Sequence, residues 1–281
     1  MRELVAAIKL VRPLNGLVAA LSVVPAASIA CGELTMPWRE SGLIFFLVSF
    51  GYAVNDIFDV RADLINRPTR AIPSGALSIN FAWLTAVLSL VLGSGLLVGA
   101  NTMTSVYYVV VALALYFYGA KISSQLIVGN VLVAVLCASV FYLGTQVCPA
   151  DNRAIGLLAV SAVLTLLYHL GREIVKDIED ISGDEAIARS TVPLKWGLKK
   201  ARMIALAIFG VLITATYVAY WQLGLSKSYL VAISFGVNLP LALIFVIYMR
   251  QEAQAGAHRT SLALKIIMLP ALLAILLAGV N

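Results

Sequence analysis

Two octets carry the densest chemistry in this sequence. The stretch Asp56 to Asp63 reads D-I-F-D-V-R-A-D, and 121 residues later Asp177 to Asp184 reads D-I-E-D-I-S-G-D. Both follow the pattern D-I-x-D-x-x-x-D. On a continuous helix, steps of three and then four residues return to nearly the same azimuth, so each octet is expected to lay three carboxylates along one stripe. Like charges stacked in this way repel, and desolvation at a membrane edge adds to the cost, so a positive group must offset them. Two such stripes, with the amide of Asn55 beside the first, make an oxygen-rich set suited to a hard divalent cation. Magnesium keeps several waters and combines a few carboxylates with substrate phosphates, which points to a phosphorylated ligand. The candidate metal ligands are Asn55, Asp56, Asp59, Asp63, Asp177, Asp180 and Asp184. One octet alone would read as acids at a helix end, solvating a loop. Two octets of identical spacing favour a shared metal site.

Basic residues gather around the same places. Arg61, Arg67 and Arg70 follow the first octet; Arg172 and Lys176 precede the second; Arg189, Lys195 and Lys199 follow it. A diphosphate carries charge that magnesium alone does not neutralise, and Arg67, Arg70, Lys121 and Lys176 are the candidates for contacting it, with Arg172 nearby. Membrane anchoring by positive loops accounts for many of these residues without any ligand. The proposed catalytic set is Asn55, Asp59, Lys176, Asp177 and Asp180. Among the aromatic residues of the apolar segments, Tyr52, Tyr116, Tyr118, Tyr142, Tyr168 and His169 offer faces that would stabilise an allylic cation. Tyr142 and Tyr168 are taken as substrate-binding candidates, although such residues also serve as packing and interface anchors.

The elements that must position these groups are membrane helices. The 281 residues are 61% hydrophobic and 12% charged, far from the usual soluble composition of about 25% charged, and mean hydropathy is +0.96. Long apolar runs recur along the whole chain, predicting an all-α integral membrane protein with one domain over residues 1–281. Nine spans are expected in one bundle, at about 12–31, 42–60, 81–100, 104–121, 126–148, 155–176, 201–222, 228–249 and 262–280. The two longer polar connections, Arg61 to Asn80 and Asp177 to Lys200, begin at or within the octets. Seventeen of the twenty Lys and Arg residues fall on the side of the N-terminus and these two loops; Arg39, Arg153 and Lys227 fall on the other. That split predicts a cytoplasmic N-terminus and catalytic mouth, with the C-terminus outside, in the cell (plasma) membrane. The net charge of +6 forms no contiguous basic tract, so no nucleic acid and no soluble partner is expected. Ser28 to Cys31 faintly matches a lipoprotein cleavage site, but the run before it is long enough to span a bilayer and reads as a retained first helix. Cys31, Cys137 and Cys148 lack metal-like spacing and read as small buried hydrophobes.

The stretch from Asn55 to Asp63, followed by N-R-P-T-R-A-I-P-S-G from Asn66 to Gly75, resembles the first signature of the UbiA superfamily of intramembrane prenyltransferases. Asp177 to Asp184 resembles its second, and the R-P-L-N of Arg12 to Asn15 a further family feature that brings Asn15 into the substrate-binding set. The resemblance implies nine helices around a cavity open to lipid, capped by the two cytoplasmic loops. It implies two Mg2+ ions bridging the aspartate motifs and an isoprenoid diphosphate donor. Asn55, Asp59, Asp177, Asp180 and Asp184 would be ligands or near-ligands, whereas Asp56 and Asp63 would bind a metal, water or basic partners. The reaction implied is electrophilic alkylation: the allylic C–O bond ionises and an acceptor captures the cation in a dry cavity. Gly171 to Asp184 looks most similar to the branch that prenylates geranylgeranylglyceryl phosphate for ether lipids. A lipid-like acceptor is therefore expected, with aromatic or tetrapyrrole acceptors as the alternative. An ion-coupled transporter remains a reading of another class, against which stands the placement of both octets on even-numbered spans running in one direction.

Overall fold

Proline, glycine and capping side chains set where the helices begin and end in the computed structural model, which describes residues 2–279, the side chain of Arg2 excepted. The last residue of the predicted ninth span, Val280, lies outside the described residues. Two compact units emerge, each with its own apolar core: the first from the described parts of Met1–Val23, Pro37–Gln125 and Ser182–Arg189, the second from those of Val24–Met36, Leu126–Ile181 and Ser190–Asn281.

In the first unit, helix Arg2–Val11 stops where Pro13 disfavours helical backbone at the preceding residue; Arg12 takes a left-handed conformation, φ 49°. Helix Trp38–Phe58 runs through the middle of this unit and packs against Pro13–Leu21, Ile79–Gly95 and Thr102–Ala120. Small residues permit the close approach, as membrane interiors require: Ala53, Ala82 and Ala86 are fully buried, and a Cβ added to Gly51 would lie 2.9 Å from Leu115. Ser78 caps Ile79–Gly95 by accepting from the Phe81 N–H, and Asn101 caps Thr102–Ala120 by accepting from the Thr104 N–H.

In the second unit the 28-residue helix Asn152–Glu179 is central, against Val128–Ala138, Leu198–Leu223 and Ala253–Gly279. Ile174, Val175 and Ile178 near its end are fully buried together with Val192, Ala201 and Ala205. The predicted eighth span is interrupted by a π-helical turn at Ser234–Asn238, just ahead of Pro240, whose missing N–H breaks the regular ladder. Cys31 and Cys148 form a disulfide, Cα–Cα 5.2 Å, correcting their reading as unlinked hydrophobes. Gly144 explains the approach, because a Cβ there would collide with the Ala26 backbone. Cys137 alone keeps the free thiol expected of all three.

The outward faces are apolar, with Leu88, Val110, Val211, Leu243 and Ile266 all at least half exposed, as lipid rather than water demands. Among the described residues, eight helical stretches are long and apolar enough to cross a membrane, and a shorter one, Ile79–Gly95, stands at the predicted third span. That helix ends short of residue 100 because Gly93, Ser94 and Gly95 weaken it and Gly99 turns the chain at φ 74°.

Candidate active site

Both octets break at their middle aspartate. Asp59 ends Trp38–Phe58 with φ −89° and ψ 4°, and Asp180 ends Asn152–Glu179 with φ −92° and ψ 5°. The helical bond into each survives, Asp59 N–H to Asn55 O and Asp180 N–H to Lys176 O, both 2.9 Å. The expected continuous stripe is thus replaced by a bend, and the third acid of each octet sits on a new short helix, Val60–Asn66 or Ile181–Ala186.

In the first unit four carboxylates, Asp56, Asp59, Asp63 and Asp184, are buried among four guanidinium groups. Arg12 donates to Asp56 at 2.5 Å and lies over the Tyr52 ring, 4.4 Å from its centroid. Arg70 reaches Asp56 at 3.1 Å and Asp63 at 2.5 Å, while Arg67 stands 4.0 Å from Asp63. Arg189 bridges the octets: its guanidinium donates to Asp59 and, at 3.2 Å, to Asp184. Asn55 donates its amide to the second oxygen of Asp59 at 2.7 Å, and Asn15 donates to the Tyr52 hydroxyl at 3.2 Å. Burial pushes the Asp63 carboxyl above its ordinary value, with Arg70 opposing the shift through its charge and hydrogen bond. For Arg189, burial works against the charge, but Asp59 and Asp184 outweigh it and the guanidinium is held more firmly protonated than usual.

The short helices meet through small residues. Ala62 and Gly183 occupy the same position in their octets, and a Cβ on Gly183 would lie 2.6 Å from the Ala62 carbonyl oxygen. The Gly183 N–H instead donates to the Asn66 side chain at 2.9 Å. Asn66 is thereby a joint between the motifs, a role not apparent from the sequence.

In the second unit Asp177 accepts from Asn130 at 2.8 Å. One turn earlier, buried Glu173 accepts from Arg172 at 2.7 Å and Lys176 at 3.2 Å. Tyr168 is buried, and its hydroxyl donates to the Leu264 carbonyl while its ring packs on His169 and Phe209. Tyr142 and Lys121 are exposed, and among the described residues no contact ties Lys121 to the carboxylates. Four functional candidates escaped selection as site residues: Arg12, Arg189, Glu173 and Asn130. Arg12 was marked by its R-P-L-N setting and Glu173 by its i, i+4 spacing to Asp177, whereas nothing local to Asn130 signals its partner.

Among the described residues no group of three acidic, histidine or cysteine side chains converges as a preformed metal cage. Arginines interleaved with the carboxylates are the physical reason in the first unit. The donor set nevertheless suits Mg2+: carboxylate oxygens, one neighbouring amide, and a point between Asp59 and Asp184 already filled by positive charge.

The UbiA prenyltransferase family profile matches residues 14–276. The chain belongs to this family. Its relatives include the "Digeranylgeranylglyceryl phosphate synthase" of Pyrococcus furiosus, 32% identical over 277 residues and covering 97% of this chain and 98% of the relative. The like-named protein of Thermococcus sibiricus is 36% identical over 220 residues, 74% of each chain. A solved structure described as "Structural and mechanistic insights into the biosynthesis of Digeranylgeranylglyceryl phosphate synthase in membranes" superposes with a TM-score of 0.73 at 27% identity, covering 100% of this chain and 99% of that one. A UbiA homolog from Archaeoglobus fulgidus bound to DMAPP and Mg2+ shares the fold at TM-score 0.68 and 13% identity, over 96% and 98% of the two chains. The protein is a multi-pass, all-α integral membrane prenyltransferase.

Proposed function

We propose that this enzyme transfers a geranylgeranyl chain from its diphosphate to the glycerol hydroxyl of geranylgeranylglyceryl phosphate, a step of ether-lipid synthesis. The observation carrying this reading is the near full-length relationship to the Pyrococcus furiosus synthase, together with octets intact at every aspartate. Asn55, Asp59, Asp177, Asp180 and Asp184 would hold two Mg2+ ions. Asp56 and Asp63 instead orient Arg12, Arg67 and Arg70, supported by their short ion pairs. When bound there, Mg2+ would supply Lewis-acid neutralisation of the diphosphate's charge. Arg67, Arg70, Arg172 and Lys176 bind phosphate oxygens as charge develops there, with Lys121 at the rim. Glu173 fixes Arg172 and Lys176, so that two flexible cations are positioned before substrate arrives. The apolar helices keep water from an allylic cation.

In the same reading Ile79–Gly95, about 25 Å long at the helical rise, crosses as a ninth span with help from the turns that follow. The N-terminus and octets face the cytoplasm of the cell membrane. The Cys31–Cys148 disulfide supports that orientation, since both cysteines close spans on the side away from the basic loops, where an oxidising compartment is expected.

The test offers purified protein, with Mg2+ and geranylgeranyl diphosphate, geranylgeranylglyceryl phosphate and 4-hydroxybenzoate in parallel, followed by mass analysis of the extract. A Mg2+-dependent doubly prenylated glycerol phosphate is the expected product. A prenylated benzoate in its place would retain the chemistry and overturn the acceptor.

A further inference from the structure

Arg189 occupies the carboxylates that the metal reading needs. Its guanidinium lies between Asp59 and Asp184, with its side chain 13% exposed and a long contact of 3.4 Å to the Ser123 hydroxyl. The backbone is built to bring it there. Ala188 adopts a left-handed conformation, φ 55°, which a residue with a Cβ rarely takes. The turn lets the Arg189 N–H donate to the Asp184 carbonyl at 2.9 Å and sends the side chain back to the octets. Asn55 occupies the other oxygen of Asp59 with its amide nitrogen. A flip of that amide and departure of the guanidinium would turn carboxylate and amide oxygens toward one point, which is what a hard cation requires.

A guanidinium and a divalent ion on the same carboxylates repel each other. Arg189 therefore opposes metal binding when no other anion is present. A diphosphate changes the balance, because its oxygens accept both donors of a guanidinium fork. The other three arginines differ in this respect: Arg12, Arg67 and Arg70 share Asp56 and Asp63, the two octet acids outside the proposed ligand set. Resting on the metal-diphosphate reading above, we propose that Arg189 is an exchangeable counter-ion. It holds Asp59 and Asp184 in the empty enzyme and moves to the diphosphate when metal takes those carboxylates. Metal and diphosphate would thus bind as a pair rather than separately, since neither alone both displaces Arg189 and gives it a partner.

The consequence is a pair of effects of opposite sign. Mn2+ binding without diphosphate is read by the electron paramagnetic resonance signal of free Mn2+ in detergent-solubilised full-length protein. Binding of a non-transferable allylic thiolodiphosphate with Mg2+ is read by calorimetry. R189Q is expected to bind Mn2+ alone about tenfold tighter and the thiolodiphosphate about tenfold weaker, with R189K between it and the wild type on both scales. A thermal transition within a few degrees of wild type establishes that each variant is folded. Unchanged or weaker Mn2+ binding in R189Q would overturn the exchange, as would both affinities moving together. D59N separates this from the underlying reading: if it binds Mn2+ and thiolodiphosphate as the wild type does, the metal site itself is wrong, whereas loss of both with no gain in R189Q leaves the site standing and removes only the exchange.

Discussion

The two octets share a backbone and differ in their counter-ions. Each bends at its middle aspartate with backbone angles within a few degrees of the other's. Four residues before the first aspartate, however, one has Tyr52 beneath the guanidinium of Arg12, and the other has Glu173 gripping Arg172 and Lys176. Immediately before that aspartate stands Asn55 in one and Lys176 in the other. Arginines from outside the first octet converge on Asp56 and Asp63, while Asp177 takes an amide hydrogen from Asn130. Repetition preserves the places where carboxylates stand. It does not preserve the groups that set their charge balance, so equivalent aspartates need not have equivalent roles.

The sharpest way to break this comparison is to neutralise its most similar members. Asp59→Asn and Asp180→Asn are each expected to slow prenyl transfer about 10³-fold in single-turnover product analysis, because each removes charge from the proposed ligand set without removing volume. A difference above about thirtyfold between them would show that the matching bends serve unlike chemistry. The next largest effect is expected where the octets touch. Gly183→Ala places a methyl group against the Ala62 carbonyl, a backbone atom that cannot swing aside, and should destabilise the protein by about 1–3 kcal/mol in detergent denaturation. Ala62→Gly, at the equivalent position, adds no volume, and its cost should be about 1–2 kcal/mol, from helix propensity and the loss of a buried methyl group.

The legible parts of this molecule were those governed by local periodicity or by motif. Apolar runs located the helices of membrane-crossing length, eight among the described residues, since a lipid-facing helix must be hydrophobic over its whole length. The identical spacing of the octets located the acids. Their bends were not legible, because D-I-x-D-x-x-x-D fits a continuous helix equally well and contains no proline or glycine at the middle aspartate. Arg189 stood among basic loop residues whose anchoring role explained them equally well. Its ion pair with Asp59 spans 130 positions and depends on a left-handed alanine that no residue-type rule anticipates. The Cys31–Cys148 link failed to appear for a related reason: 117 residues separate the cysteines, and the approach of their helices rests on Gly144.

A smaller effect sharpens the contrast on the second octet's side. Asn130→Ala withdraws a hydrogen bond from Asp177 and leaves a void at a buried position, with an expected cost of about 1–2 kcal/mol. If the second octet relies on that neutral donor, the variant should also weaken Mg2+ dependence several-fold, measured as the Mg2+ concentration giving half-maximal transfer. Unchanged Mg2+ dependence with the same loss of stability would make Asn130 a packing residue.

The smallest effect belongs to Asp63 and follows from its protonation. Its folded-state value is raised above the ordinary 3.8, with burial as the leading cause. The folded protein therefore binds this proton more readily than the unfolded chain, and stability contributed by the group is fully present below 3.8 and lost as pH rises through the raised value. Arg189, raised from an already high value, adds nothing in that range. Thermal midpoints of wild type and Asp63→Asn, followed from pH 7 down to about pH 4, isolate the carboxyl, because the amide does not titrate. The wild type should gain on the variant by about a degree as the pH falls through this window. A loss on acidification would mean that Arg70 holds Asp63 ionised more strongly than burial opposes it. The first octet would then be a network in which ion pairing outweighs burial at Asp63.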